Sequence, residues 1–94
     1  MIIDSKNKSA RLTYHQDPGH GWIEFPKSKL ADIGLTLAAF SGYSYQDANS
    51  IYVEEDCDAS VLLDTLKRQG WTVELESLHV NRSHPIRNKR RIGA

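Results

Sequence analysis

His15, Asp17 and His20, spaced H-x-D-x-x-H, are the residues best suited to hold a transition metal. Two imidazoles and one carboxylate would leave open positions where a metal-bound water could support hydrolysis, the chemistry of a small metal-dependent enzyme. The same residues admit a plainer role, because QDPGHG is turn chemistry in which Asp17 bonds the backbone and the histidines face water. Lacking a fourth ligand, the set is expected to be such a turn, with no metal and no cofactor. His79 and His84 lie too far along the chain for spacing to assign them. Cys57, the only cysteine, stands where a helix N-terminus would lower a thiol pKa. Glu55, Asp56 and Asp58 beside it disfavour a thiolate, and a small buried side chain is expected. No serine occupies a nucleophile-elbow pattern, so the chain is not expected to be an enzyme.

Charge is more informative than any catalytic constellation. The chain is neutral overall, with 12 basic and 12 acidic residues, yet the two signs are separated. Residues 81–94 carry Arg82, Arg87, Lys89, Arg90 and Arg91 and no acid, while Ser44 to Val80 holds eight acids against Lys67 and Arg68. Such polarity suits recognition of a charged partner. The densest cluster, Glu54, Glu55, Asp56 and Asp58, reads as a surface able to meet a lysine- and arginine-rich groove, with Tyr52 or Tyr45 as an aromatic anchor. Helix capping is the competing and compatible reading, since carboxylates near a helix N-terminus are favoured by the macrodipole. Arg87, Lys89, Arg90 and Arg91, set beside the aromatic residues, give the alternative of nucleic-acid binding, although no RNP-type signature is present.

The elements that position these groups follow from periodicity and turn residues. Leu12 and Tyr14, then Trp22, Ile23 and Phe25, flank the Pro18–Gly19 turn as a β-hairpin. Pro26 suits a helix start, Leu30, Ile33 and Leu35 supply an apolar face, and Gly34 ends it. The run from Leu37 to Tyr45, with Phe40, Tyr43 and Tyr45, and the run Ile51 to Val53 form a second hairpin across QDANS. Ala59, Leu62, Leu63 and Leu66 recur at helical spacing, with Asp56 or Asp58 as cap and Gly70 as stop. Trp71, Val73 and Leu75 then alternate with Thr72, Glu74 and Glu76 as a half-buried strand. Its phase changes at Leu78, which a bulge near Ser77 or the end of the buried face would explain. The expectation is one α+β domain over residues 1–80, ordered β-β-α-β-β-α-β, with a mostly antiparallel sheet and two helices on one face. Residues 81–94 are expected to be a basic C-terminal tail whose last residues, 88–94, can be removed without harm to the core.

The segments PGHGW at Pro18–Trp22, YSYQ at Tyr43–Gln46, YVEEDCDA at Tyr52–Ala59 and HPIRN at His84–Asn88 resemble small proteins of bacteriophages and other mobile elements. That resemblance implies a phage accessory protein of the kind that includes anti-CRISPR inhibitors. It implies a host protein with a basic surface as partner, plausibly a CRISPR–Cas or other defence component, and action in the bacterial cytoplasm. A single cysteine and the absence of a signal-peptide pattern or a long apolar run point to the same compartment.

Overall fold

The computed structural model describes residues 1–93 as a single α+β domain built on one seven-stranded sheet. The strands are β1 (Ile2–Asp4), β2 (Ser9–Gln16), β3 (Gly21–Pro26), β4 (Tyr45–Gln46), β5 (Ser50–Glu54), β6 (Thr72–His79) and β7 (Arg90–Arg91), with α1 at Ala59–Arg68. β2 is the hub. Along its full length one edge pairs with β6, while its other edge is shared by β1 at Ser9–Arg11 and β3 at Tyr14–Gln16. Beyond β3 the sheet continues through β5 and β4 to β7. Every pairing is antiparallel except β2 with β6. That exception follows from α1, because a helical crossover between β5 and β6 returns the chain in its starting direction.

One face of the sheet is covered by helical segments. Leu12, Ile23, Phe25, Ile51 and Val53 meet Leu62 and Leu66 of α1 there, all of them at most 2 % exposed. The helix ends where expected, with Gly70 at φ +86°, a conformation that favours glycine. Its N-terminus differs from expectation. Asp58 occupies the cap position, yet its carboxylate makes no capping bond and instead accepts from the Ser41 backbone N–H, the Ser41 hydroxyl and the Ser44 hydroxyl.

Three further expectations are corrected. The segment after Pro26 forms two successive 3-10 turns, Lys27–Lys29 and Ala31–Ile33, in place of an α-helix. So few residues between Pro26 and Gly34 cannot offset helix nucleation, and a 3-10 turn aligns residues three apart, as Leu30 and Ile33 are. Both are buried under the sheet. β1 was not foreseen. Residues 81–93 are part of the domain and no loose tail: a 3-10 turn at Pro85–Asn88 leads into β7, which pairs with β4, and Ile86 and Ile92 are 1 % and 0 % exposed. The expected boundary after residue 80 therefore does not stand, and residues 88–92 include a strand and a buried side chain of the domain; Ala94 lies outside the described residues. The phase change in β6 is the end of a buried face, because its register with β2 runs unbroken from Thr72 to His79.

Candidate functional site

The first hairpin tip is tied to the C-terminal segment by Asp17, whose side chain is 1 % exposed. Its Oδ1 accepts from the Gly19 and His20 backbone N–H groups at 2.9 Å each, the turn role expected of it. The carboxylate also accepts from Arg87 Nε at 2.7 Å, from Arg87 Nη2 at 2.9 Å and from the His84 N–H at 2.9 Å. The Arg87 guanidinium holds this carboxyl far below the ordinary range against the opposing effect of burial, and the backbone donors add to it. Arg87 in turn lies 5.1 Å over the Trp22 ring. Next to it, His84 accepts from the Ile86 N–H, and burial, followed by the nearby His15, pushes its imidazole pKa down.

The candidate metal trio His15, Asp17 and His20 is thereby divided. His15 Nε2 lies 2.9 Å from Glu24 Oε1 and is largely buried, not facing water, while His20 Nδ1 lies 3.2 Å from Glu54 Oε1 and Asp17 belongs to Arg87. The basic residues are divided as well. Lys89 Nζ bonds Asp47 Oδ2 at 3.0 Å and sits over Tyr52, and Arg91 bonds the Gly42 carbonyl at 2.8 Å and sits over Tyr45; Arg90 is exposed. Burial opposes ionisation of Asp47, but hydrogen bonds from Tyr52, the Ser50 N–H and Lys89 outweigh it and keep the carboxyl well below its usual value.

The expected acidic contact surface comes apart under burial. Glu54 and Asp58 are 5 % and 4 % exposed, and Tyr45 and Tyr52 are 7 % exposed, so none of the four presents a free surface. Trp22, Tyr45 and Tyr52 pack with Ile86 as a second small core on the sheet face opposite α1. Glu55 and Asp56 stay exposed. Tyr14 donates its hydroxyl to Glu55, and burial together with that bond raises the phenol to about 12. Cys57, expected to be buried, is exposed; desolvation beside Glu54, then the surrounding carboxylates, raise its thiol pKa, which argues against a reactive thiolate. His20, Trp22, Tyr43, Tyr45, Glu54, Asp56, Cys57, Arg87 and Arg91 line an open cleft of about 340 Å³.

A second surface went unnoticed in the sequence. β6 pairs only with β2, so among the described residues its outer edge has no partner strand. Two bonds fix its orientation, Thr72 N–H to the Lys8 carbonyl at 2.8 Å and Val80 N–H to the Gln16 carbonyl at 2.9 Å. Even-numbered residues thus turn their backbone groups toward β2, and Val73, Leu75, Ser77 and His79 turn theirs outward. Leu75 and Leu78 are 44 % and 50 % exposed on opposite faces of the strand. Glu74 and Glu76 are exposed on the same face as Leu78, and among the described residues only Glu74 has an ion-pair partner, Arg11 at 3.1 Å. The alternation had identified the strand; its place at an edge depends on the order of strands, which no local pattern contains.

Among the described residues no helix is long and apolar enough to cross a membrane. No protein-family model, curated protein or solved structure matches this chain, so its geometry alone carries the functional argument.

Proposed function

We propose that the protein acts by binding, and that it takes up an extended strand of a partner protein on the outer edge of β6. The observation that carries this reading is the eight-residue edge itself, with four outward-facing residues unpaired among the described residues and two leucines exposed beside them. A long free edge with exposed leucines is a template for strand addition, which native proteins otherwise blunt with bulges, prolines, charged side chains or covering segments. The side chains choose the partner. Next to Glu74 and Glu76 an added strand would place alternate residues where Lys or Arg is favoured, and on the other face it would extend the apolar layer at Leu75.

A second copy of the chain fits poorly. With the odd-numbered residues as the hydrogen-bonding ones, antiparallel self-pairing over the full strand centres on Leu75 or on Glu76. The first sets Glu74 opposite Glu76 twice, and the second sets Glu76 opposite itself, in the closely spaced type of pair. A basic strand meets neither conflict. In the setting implied by the resemblance to phage accessory proteins, the partner is a bacterial host protein of a CRISPR–Cas or other defence system, which binding would inhibit or redirect.

The test is a titration of the full chain with a synthetic peptide of alternating Lys and Val as long as β6, compared with the Ser77→Pro variant. Proline at Ser77 removes an outward N–H and obstructs the edge while sparing the ladder to β2. Saturable binding that is lost in Ser77→Pro and weakened by salt is the expected result. Equal binding by both proteins would overturn the assignment of the edge.

A further inference from the structure

Three acidic side chains and one imidazole converge at the tip of the first hairpin, where β5 ends. His20, Glu54, Glu55 and Asp56 each offer one ligand atom, and these atoms all lie within 4.8 Å of one another. They come from the tip of the first hairpin and from the end of β5 with the turn that follows it, fixed against each other by the sheet. Trp22 pairs with Glu54 across β3 and β5, and the Glu55 N–H bonds the Gly21 carbonyl at 3.0 Å, which sets the hairpin tip beside the β5–α1 turn. His20 is held by its own N–H to Asp17.

An acidic cluster on an exposed turn is ordinary; Glu54 makes this one different. Its side chain is only 7 % exposed and lines the cleft. Oε2 accepts from the Asp56 N–H at 2.8 Å and the Cys57 N–H at 2.9 Å, which locks the carboxylate in place. Oε1 is buried, makes no hydrogen bond and lies 3.2 Å from His20 Nδ1. An unsatisfied buried carboxylate oxygen is costly, and two further carboxylates adjoin it. The two guanidinium groups that line the cleft do not answer it: Arg87 is committed to Asp17 and Arg91 bonds a backbone carbonyl. A cation bound between Glu54 Oε1 and the His20 imidazole would give the buried oxygen a partner.

We propose that His20, Glu54, Glu55 and Asp56 form a binding site for a divalent transition-metal ion. One imidazole nitrogen with carboxylate oxygens suits Mn²⁺ or Zn²⁺ better than Ca²⁺, which favours all-oxygen sets, or Cu⁺, which favours sulfur. The site shares only His20 with the H-x-D-x-x-H spacing in the sequence. Glu55 keeps one oxygen for a metal while the other accepts from Tyr14. The cleft, with Trp22 and Tyr45 in its wall, would give a bound ion access to a small ligand.

The experiment uses the full chain and Mn²⁺ alone. Electron paramagnetic resonance counts the bound ions, and paramagnetic broadening of the ¹H–¹⁵N spectrum locates them. One Mn²⁺ per chain is expected, with broadening centred on residues 20–22 and 54–57. His20→Ala and Asp56→Asn, both at exposed positions, should keep the wild-type circular dichroism. Each should weaken binding by at least the roughly 10–100-fold that loss of an outer-shell partner costs a metal site. Zn²⁺ should compete with Mn²⁺ for the site. Absence of saturable binding, broadening centred on Glu74 and Glu76, or affinity unchanged in both variants would each overturn the proposal. None of these outcomes bears on strand addition at β6, which Ser77→Pro tests separately.

Discussion

At the β7 edge of the sheet the charged groups are spent on one another: Arg87 is clamped by a buried Asp17, Lys89 by Asp47, and Arg91 lies over Tyr45. At the β6 edge Glu76 has no ion-pair partner among the described residues, and the strand shows its leucines and its outward backbone groups to solvent. In sequence the first region reads as a free basic tail, the alternative nucleic-acid surface, and the second as an ordinary half-buried strand. On the proposed reading, a recognition surface is marked by charge and backbone that the fold leaves unanswered and not by density of charge.

If the β7 edge is structural, damage there should be the most expensive change available. Removing residues 81–94 takes away two fully buried isoleucines and leaves Asp17 without Arg87, so the truncated chain should have a much lower urea midpoint or be largely unfolded. Ile86→Ala and Ile92→Ala should each cost about 2–5 kcal/mol, in the same range as Leu62→Ala or Leu66→Ala in α1. A truncated chain with a near-native midpoint would return this segment to the status of a tail.

Asp17→Ala should cost somewhat less, about 2–3 kcal/mol, because the Arg87 it abandons is one-third exposed and partly rehydrates. The same groups set the response to acid. Asp17 and Asp47 are held below the ordinary carboxylate value of about 4, so the stability they contribute is present above that pH and lost as pH falls further. His84 is held below the ordinary imidazole value of about 6.5, and its contribution starts to be lost as pH falls through that value. Melting temperature should therefore decline in two stages from pH 7 to pH 3, and His84→Asn should remove the first. A single stage, or a first stage that persists in His84→Asn, would place the titration elsewhere.

The β6 edge should answer to direction. Glu76→Pro removes an N–H that faces β2 and should cost about 3 kcal/mol or more, whereas Ser77→Pro removes one that faces solvent and should cost under about 1 kcal/mol. Equal losses from these neighbouring substitutions, measured by urea unfolding, would show that the parity of the ladder is misassigned. The smallest effect belongs to Glu74→Lys with Glu76→Lys: exposed charges reversed at an edge should shift stability by no more than about 1 kcal/mol.

How far the sequence revealed this arrangement varies with what each residue's neighbours are. The hairpin at Pro18–Gly19 and the helix through Leu62 and Leu66 are set by local turn chemistry and by spacing, and both formed as read. Ile86 and Ile92 have no apolar neighbours in sequence from which a period could be seen, so their burial depends on Trp22, Tyr45 and the core brought to them by the fold. Glu54 and Asp58 stand in a run of acids that looks uniformly exposed. They are buried because backbone N–H groups and the hydroxyls of Ser41 and Ser44 reach them. The proximity of His20 to Glu54 is a matter of strand register, and H-x-D-x-x-H pointed to the right histidine with the wrong companions.

The central claim, that the outer edge of β6 accepts a basic strand, can be tested with the protein as its own partner. Unlabelled Glu74→Lys/Glu76→Lys protein is added to ¹⁵N-labelled wild type, so that either full-length antiparallel register now sets Lys opposite Glu. The account predicts progressive shifts of the Val73, Leu75, Ser77 and His79 amides, suppressed by salt, and no shifts when unlabelled wild type is added instead. Shifts centred on the cleft around His20 and Glu54, or no response to the charge-reversed protein at any concentration, would contradict it.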